Sequence, residues 1–407
     1  MKKLMAILAI TLLATFSVQG VTVEWHGLFY DYAFMWQNAD FNSSVADGDM
    51  HYYIHGDLNA TADFGNGVTA LVRIGDWGNY GMHPILGSGV AGMGAHIMHA
   101  YVSAQNLFDT PVGFTAGIIP MAYGDIAFDG GEDGFTGVKI NVNTDMMGID
   151  LFTYRAIENG GMGYMYMGDT TKYPTYPIPP DQDLSGVWAT VKLMEGNVEV
   201  NGFGFLRSEG DDKPMWVGVR SAGSPMKGLS YTGDFAMMMG NNGAATPVDY
   251  KGMYYSARLN YTFTPVTVGG GYYYFSGDDP ATAENEDYGS PTYGPYPNDF
   301  YKGWVGFGPA YTLWSPYGFN LVTPNLNVIN GHIGYDAAAF SIRADYFMYK
   351  TVQGTPNAMG NEIALYASLN LNKEFSIGAT GGYWMPGDYF TGTDPMMAGY
   401  LFVAKGF

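Results

Sequence analysis

The fold is decided by an alternation that is plainest in nine residues near the end of the chain, Ile363-Ala364-Leu365-Tyr366-Ala367-Ser368-Leu369-Asn370-Leu371. The odd positions are Ile, Leu, Ala, Leu and Leu, whereas the even positions are Ala, Tyr, Ser and Asn. Successive side chains of a strand point to opposite faces of a sheet, so this pattern predicts a strand between lipid and water. A tight connection at 372–374 follows, and residues 375–383 repeat the alternation. Together the two runs predict a β-hairpin.

The same alternation recurs along the chain and predicts about eighteen strands, within a range of roughly 16 to 20. Their connections alternate in length, with short ones such as 263–265 and long ones such as 277–325. This alternation is typical of barrels with short periplasmic turns and long extracellular loops, whereas a soluble β-sandwich or propeller does not need it. The sequence therefore predicts an all-β fold, a closed antiparallel transmembrane β-barrel. The strands are expected to begin near Val21, Met50, Val68, His96, Val112, Gly134, Met147, Leu184, Val198, Met215, Leu229, Tyr250, Val266, Leu326, Phe340, Asn361, Phe375 and Met396.

The first residues have the pattern of a secretory signal peptide. Lys2 and Lys3 precede an apolar run at 4–16, and small residues then lead to a plausible cut before Val21. The apolar run is too short to be a spanning helix. We therefore expect residues 1–20 to be a signal peptide and residues 21–407 to form a single transmembrane barrel domain.

The chain ends on an apolar-rich strand whose final residue is Phe407. This strand resembles the C-terminal strand of outer-membrane barrels, which the barrel-assembly machinery recognises by a terminal Phe. The resemblance implies that this machinery is a partner. It also implies that the protein resides in the outer membrane, in contact with lipid and lipopolysaccharide.

The composition agrees with a protein that meets lipid through alternate residues. Aromatic residues make up 16% of the chain and charged residues only 14%, with 58 glycines. The formal net charge is −20, which disfavours nucleic acid as a partner because binding it requires a basic face. There is no cysteine, so disulfides cannot contribute to stability.

Charged side chains on the face opposite the apolar stripe are candidates for the pore wall. Bases and acids are nearly balanced there, which predicts a polar lumen of mixed sign for small solutes. The predicted pore-lining residues are Asp57, Asp63, Arg73, Lys139, Lys192, Glu199, Arg207, Arg220, Asp234, Arg258, Arg343, Asp345 and Glu362.

Most of the negative charge must then lie in loops, above all in 125–133 and 278–287. One interpretation is a solvated surface near lipopolysaccharide and its bridging cations. The other is a structural calcium site at Asp129, Glu132 and Asp133, since carboxylates and flexible glycine-rich backbone suit an oxygen-ligated ion. No other cofactor is expected.

The loop at 277–325 is the longest and is rich in aromatic residues. An external loop has little reason to carry them, so we expect this loop to fold into or over the pore and to constrict it. The alternative is a hidden strand pair at 302–313, which would raise the strand count to about twenty. The constriction-loop aromatics are Tyr293, Tyr296, Phe300, Tyr301, Trp304, Tyr311 and Trp314.

No sequence feature points to an enzyme. Neither a Gly-x-Ser-x-Gly nor a His-Glu-x-x-His motif occurs. His51 and His55 lie on one face of a strand, too far apart to share a metal ion, and His96 and His99 lie on opposite faces.

A stretch of short motifs resembles the alginate-export-like and related porin families: Ala100-Tyr101-Val102, residues 114–117, Ala122-Tyr123-Gly124-Asp125 and residues 135–139. Ile118 departs from the family, which has an Arg after Gly117. The resemblance implies a porin or exporter. We therefore predict passive diffusion of small hydrophilic solutes through a loop-constricted pore. The alternatives are a selective sugar or polysaccharide channel or exporter, and a structural or adhesive surface barrel whose acidic loops bind cations.

Overall fold

The computed structural model describes residues 21–37, 44, 49–78, 96–124, 128–129, 134–157, 181–289, 325–390 and 392–406. Within these residues the chain forms twenty strands. They are β1 (Thr22–Gln37), β2 (Asp49–Gly65), β3 (Val68–Gly78), β4 (His96–Ala104), β5 (Val112–Ile119), β6 (Ala122–Tyr123), β7 (Phe128–Asp129), β8 (Phe135–Asn143), β9 (Met147–Ile157), β10 (Gln182–Leu193), β11 (Val198–Glu209), β12 (Met215–Met226), β13 (Leu229–Met239), β14 (Met253–Phe263), β15 (Val266–Phe275), β16 (Leu326–Asp336), β17 (Phe340–Thr351), β18 (Ala358–Asn370), β19 (Phe375–Pro386) and β20 (Met396–Gly406).

Eighteen of these strands form one closed sheet, and β6 and β7 form a separate small hairpin. Each strand of the large sheet pairs antiparallel with its neighbours in the chain, and β1 also pairs with β20, with Leu28 opposite Gly406. Closure leaves no unpaired edge, so the backbone polar groups of the wall are satisfied without water. The prediction of a closed antiparallel barrel with eighteen strands is confirmed.

The predicted strand starts agree with the structure to within three residues. The largest differences, of three residues, are at β14 and β18, and the one at β14 has a physical cause. Tyr250 was expected to begin this strand, but it forms an isolated bridge with Asn285 and its amide donates to the carbonyl of Gly240. Residues 250–252 therefore belong to the loop, and the barrel strand begins at Met253.

The outer face of the wall is apolar. Large aliphatic side chains on strands around the barrel are each about half exposed, as suits a band in contact with hydrocarbon rather than the surface of a soluble protein. Such residues are Ile140, Leu151, Val219, Leu259, Ile333, Leu365 and Leu401.

The inner face has two levels along the barrel axis. We call the end with the long connections the long-loop end, and the other the short-turn end. Inner positions toward the long-loop end carry buried aromatic side chains, here called the aromatic tier, and positions below them are polar. On β14, for example, Tyr254 belongs to the aromatic tier and Ser256 to the level below it. The aromatic tier consists of Phe152, Tyr154, Trp188, Phe203, Phe205, Trp216, Tyr254, Phe275, Tyr349 and Trp384.

The short-turn end is compact. Two of its turns contain single 3-10 turns, at Leu107–Asp109 and Met194–Gly196. Among the described residues, no helix has the length and apolar character needed to cross a bilayer.

Candidate functional site in the barrel lumen

Four ion pairs occupy the middle of the inner face, here called the polar belt. Two features of the wall bring their members together: residues opposite each other on neighbouring strands share a face, and so do residues two apart on one strand. Arg220 lies directly opposite Asp234, whereas Arg343 and Asp345 share β17. The pairs are Arg73–Asp57 at 2.6 Å, Arg220–Asp234 at 3.0 Å, Arg343–Asp345 at 2.7 Å and Lys139–Asp150 at 3.7 Å.

The carboxylates of the polar belt are more buried than their partners. The Asp234 side chain is only 5% exposed, and its Oδ2 also accepts a hydrogen bond of 3.1 Å from Ser256. Asp345 is 2% exposed and accepts bonds from both Arg343 and Asn330. A buried carboxylate costs several kcal/mol of desolvation unless it is paired and hydrogen-bonded. Each acid therefore needs its base, and the pair acts as one unit.

Uncharged polar side chains continue the inner face between these pairs. Gln105 joins the β4 and β8 walls, because its amide donates to Ser103 at 2.9 Å and its oxygen accepts from Asn141 at 3.1 Å. On the facing strands, Asn201 donates to the hydroxyl of Thr190 at 2.8 Å. These contacts pair polar groups of the inner face with one another.

Glycines on β15 give the polar side chains room to lie along the wall. A Cβ at Gly269 would overlap the Asn260 Oδ1 and would lie 2.7 Å from the His332 ring. A Cβ at Gly271 would lie 2.9 Å from the Cγ of Arg258. Both glycines face the lumen, since Gly269 is opposite Asn260 and His332 in the register.

Part of the aromatic tier forms a continuous stack across β9, β10 and β11. The rings of Trp188 and Phe203 are 5.3 Å apart and nearly parallel, and Phe203 and Phe205 follow at 5.0 Å. Phe152 packs on Phe205 at 5.7 Å. Stacked and tilted aromatic pairs such as these add stability beyond the area they bury.

Residues 120–124, the first part of the connection between β5 and β8, enter the lumen and complete this stack. Tyr123 stacks on Phe152 at 5.2 Å and on Trp188 at 5.3 Å, and its hydroxyl donates to Asp150 at 2.7 Å. Burial, followed by the charge of Asp150 and this hydrogen bond, raises the pKa of Tyr123 well above its usual value, so the hydroxyl remains a donor. Next to it, Gly124 passes so close to the wall that a Cβ would lie 3.3 Å from Trp188.

The first part of the longest loop also lies against the inner wall. Tyr288 is fully buried and packs on Tyr254 at 5.5 Å and Phe275 at 6.2 Å. The indole N–H of Trp216 donates to the carbonyl of Gly289 at 2.7 Å. The predicted constriction aromatics from Tyr293 to Trp314 lie outside the described residues, as does the alternative strand pair at 302–313. Both remain predictions.

The structure places the predicted pore-lining residues at three levels. Seven of them form the polar belt together with Asp150. Arg258 donates to Thr232 at the same level, at 3.1 Å. The three nearest the short-turn end are Asp63, Lys192 and Glu199, the last two opposite each other in the register.

The other two predicted residues lie toward the long-loop end. Arg207 pairs with Asp212 at 3.3 Å and lies over the Trp216 ring. Glu362 is fully buried beside the aromatic tier, where it accepts a hydrogen bond of 3.1 Å from Tyr349. It is therefore part of the packed wall.

Sequence reasoning missed two residues of this site. Asp150 could have been found, because it alternates with the outward-facing Leu151 on a strand whose start was predicted correctly. Tyr123 gave no such signal, since a lone aromatic residue in a loop does not reveal where the loop goes.

The predicted calcium site is left open. Among the described residues, no group of three or more His, Cys, Asp or Glu side chains is placed to hold a metal ion. Glu132, Asp133 and the side chain of Asp129 lie outside that set.

No protein-family model matches the chain, and no curated protein matches it. Solved structures do. A BenF-like porin from Pseudomonas fluorescens Pf-5 has a TM-score of 0.61 at 9% identity, over 95% of this chain and 98% of that one. OccK11 (OpdR) from Pseudomonas aeruginosa has a TM-score of 0.58 at 10% identity, covering 95% and 96%. OccK2 (OpdF) from the same species, in complex with glucuronate, gives the same values.

At these identities the likeness establishes the fold, which is the eighteen-stranded barrel of outer-membrane porins. The resemblance to alginate-export-like families is not addressed by these matches and remains a prediction.

Proposed function

We propose that this chain is an outer-membrane porin, through which small hydrophilic solutes diffuse passively along a water-filled lumen. The observation that supports this proposal most is that the two faces of the closed wall differ in chemistry, with apolar side chains outside and charged side chains inside. Leu151 and Leu365 expose aliphatic surface outward, while Arg220 and Asp234 pair on the inside. Charged groups need water or partners, and hydrocarbon supplies neither.

The inward segment at 120–124 is the best candidate for the constriction. Tyr123 holds it to the wall through Asp150 and the stack with Trp188. Passage through such a pore depends on its radius and on the charge of its wall, without a chemical step. An enzymatic role has no support in the site, and the prediction that the chain is not an enzyme stands as a prediction.

The long connections are assigned to the cell exterior and the short turns to the periplasm, as in barrels of this architecture. Lipid and lipopolysaccharide then surround the apolar outer face. Insertion through the barrel-assembly machinery, by the strand that ends at Phe407, is part of the proposal.

A selective sugar channel is the second candidate, and the aromatic tier is the observation that could favour it. Its rings are buried against one another, however. A sugar could stack on Trp188 only by displacing Tyr123. The burial of the aromatic tier therefore favours a role in packing the wall over a role in binding sugars.

The test is reconstitution of the purified barrel in planar bilayers. Discrete, ion-permeable conductance steps are expected, and vesicles containing the protein should admit small sugars and exclude large ones. A folded barrel that gives no steps would overturn the porin proposal. Conductance that one particular sugar blocks at low concentration would favour the selective channel instead.

A further inference from the structure

We infer that this pore prefers cations to anions and discriminates against small carboxylates, because most of the basic residues of its wall are already paired and the described segment at its outer mouth is acidic. The inference rests on the proposed porin function and names the class of solute that the site favours: cationic, zwitterionic or neutral.

The first step concerns the bases of the lumen. Five of the seven predicted pore-lining bases have a carboxylate within ion-pair distance. In the polar belt the contacts of Arg73, Arg220 and Arg343 are 2.6 to 3.0 Å, short enough for charge-assisted hydrogen bonds. The carboxylate of a passing solute would have to compete with an acid that the wall already holds in place.

The second step is that these pairs are difficult to separate. Asp57 and Asp345 are each 2% exposed, so removing their partners would leave a buried charge. Asp234 and Asp345 are also held by Ser256 and Asn330. An incoming anion therefore gains little from the belt, which acts as a row of fixed dipoles with little net charge.

Lys139 shows the same arrangement at the constriction. Its ammonium lies 3.7 Å from Asp150, and that carboxylate also accepts the hydrogen bond from Tyr123. At the other end of the lumen, Lys192 lies directly opposite Glu199. At the constriction and toward the short-turn end, bases and acids thus lie beside each other.

The third step concerns the mouth. Segment 277–289 reaches the inner wall at Tyr288 and Gly289, and it carries five acidic residues and no Lys or Arg. Lys251 pairs with one of them, Glu284, at 2.6 Å. The side chain of Asp278 is exposed, and Asp279 and Glu286 are partly exposed. No Lys or Arg within this segment balances the charge of these acids. A cleft that carries charge of one sign raises the local concentration of counter-ions.

The acidic mouth and the paired belt act one after the other on an ion that enters the pore. A negative potential of about one thermal unit at the mouth raises the local cation concentration roughly threefold and lowers that of anions equally. The four pairs of the belt carry no net charge, and Arg258, the further base at that level, is bonded to Thr232, so the mouth sets the preference. The expected result is a cation-to-anion permeability ratio above unity.

The experiment is a zero-current potential in a planar bilayer across a steep KCl gradient. The wild-type barrel should give a potential of the sign set by potassium diffusion, and glutamate salts should carry less current than chloride salts. In a mouth variant, Asp278→Asn, Asp279→Asn and Glu286→Gln together, the potential should fall toward zero while the conductance steps remain.

A belt variant, Asp234→Asn, leaves Arg220 without its acid and should shift the potential toward anion preference. The matched control is Glu374→Gln, which removes an exposed acid at a short turn outside the lumen and should change nothing. If Asp234→Asn does not fold, the mouth variant alone decides.

The outcomes separate the two proposals. Absence of conductance steps from a folded wild-type barrel would overturn the porin function and the inference with it. Steps with an anion-selective potential, or a mouth variant with unchanged selectivity, would overturn the inference alone.

Discussion

The hydroxyl of Tyr123 lies 2.7 Å from Asp150 Oδ2, and this hydrogen bond joins a loop that enters the lumen to the wall of the barrel. The two residues are 27 positions apart. Because Asp150 also faces Lys139, one carboxylate serves both the constriction and the charge balance of the wall.

Replacing Tyr123 with Phe should loosen the constriction without removing its stack. A hydrogen bond to a charged acceptor contributes about 1.5–3 kcal/mol, so the detached state of the loop should become roughly ten to a hundred times more populated. Single-channel recordings should show more frequent excursions to higher conductance. Leu151→Ala, which alters only the lipid face of β9, is the matched control. Recordings as quiet as those of the wild type would argue against the anchor.

Removing Arg220 should strongly destabilise the barrel. The Arg220→Ala substitution leaves the buried Asp234 carboxylate without its base, which costs about 3–5 kcal/mol. Unfolding in urea, followed by the heat-dependent shift in gel mobility, measures the loss. Lys405→Ala breaks the exposed pair with Glu374 and should barely change the midpoint, because solvent screens exposed pairs. Equal effects of the two substitutions would contradict the importance of the polar belt.

Gly269→Ala should cost about 1–3 kcal/mol, because the added methyl group overlaps Asn260 and the His332 ring and both would have to move. Gly331 on the neighbouring strand is a matched control, since a Cβ there meets nothing within 4 Å. The free energies of unfolding of the two alanine variants can be compared directly. If both variants were equally stable, the glycine at 269 would not be required for the packing of the lumen.

Trp216→Phe should release the segment that ends at Gly289, because it removes the indole N–H that donates to that carbonyl. The expected cost is about 0.5–1.5 kcal/mol, and cleavage by a glutamate-specific protease at Glu286 should become faster. Trp25→Phe, on the exposed outer face, serves as the control and should be cleaved like the wild type.

The contact that Tyr250 makes in the outer loops should persist at alkaline pH. Burial and a 2.9 Å hydrogen bond to Asp212 raise the pKa of Tyr250 to about 12. The raised pKa means that the contact stabilises the folded state fully below the ordinary tyrosine pKa of about 10, and is lost as the pH rises through about 12. The difference between near-ultraviolet titrations of the wild type and Tyr250→Phe should show one group ionising near the higher value. Ionisation near the ordinary value would contradict the contact.

Much of the fold could be predicted from the sequence. The starts of β3, β5 and β20 were predicted at Val68, Val112 and Met396, where the structure has them. The directions in which the side chains point were also predicted, because the alternation that places Leu365 outward also places Arg343 and Asp345 inward on the neighbouring strand. The start expected at Tyr250 missed by three residues, since its apolar ring suits a strand but its partners lie in two other loops.

The candidate site was only half predictable. The inward charges were identified, but their pairing was not: Arg73 pairs diagonally with Asp57 on the adjacent strand, although Asn59 is its direct neighbour in the register. Asp150 could have been assigned to the inner face from the alternation of side chains along its strand. The entry of Tyr123 into the lumen could not be foreseen, because nothing local distinguishes a loop that folds inward from one that does not.

By itself, the sequence determined the barrel, its strands and the two faces of its wall. These follow from a period of two residues, which is a local property of the chain. Only the tertiary structure decided which acid neutralises which base and which loop narrows the pore. Those outcomes depend on contacts between distant segments, such as Trp216 and Gly289, 73 residues apart, and closure of the sheet brings these segments together.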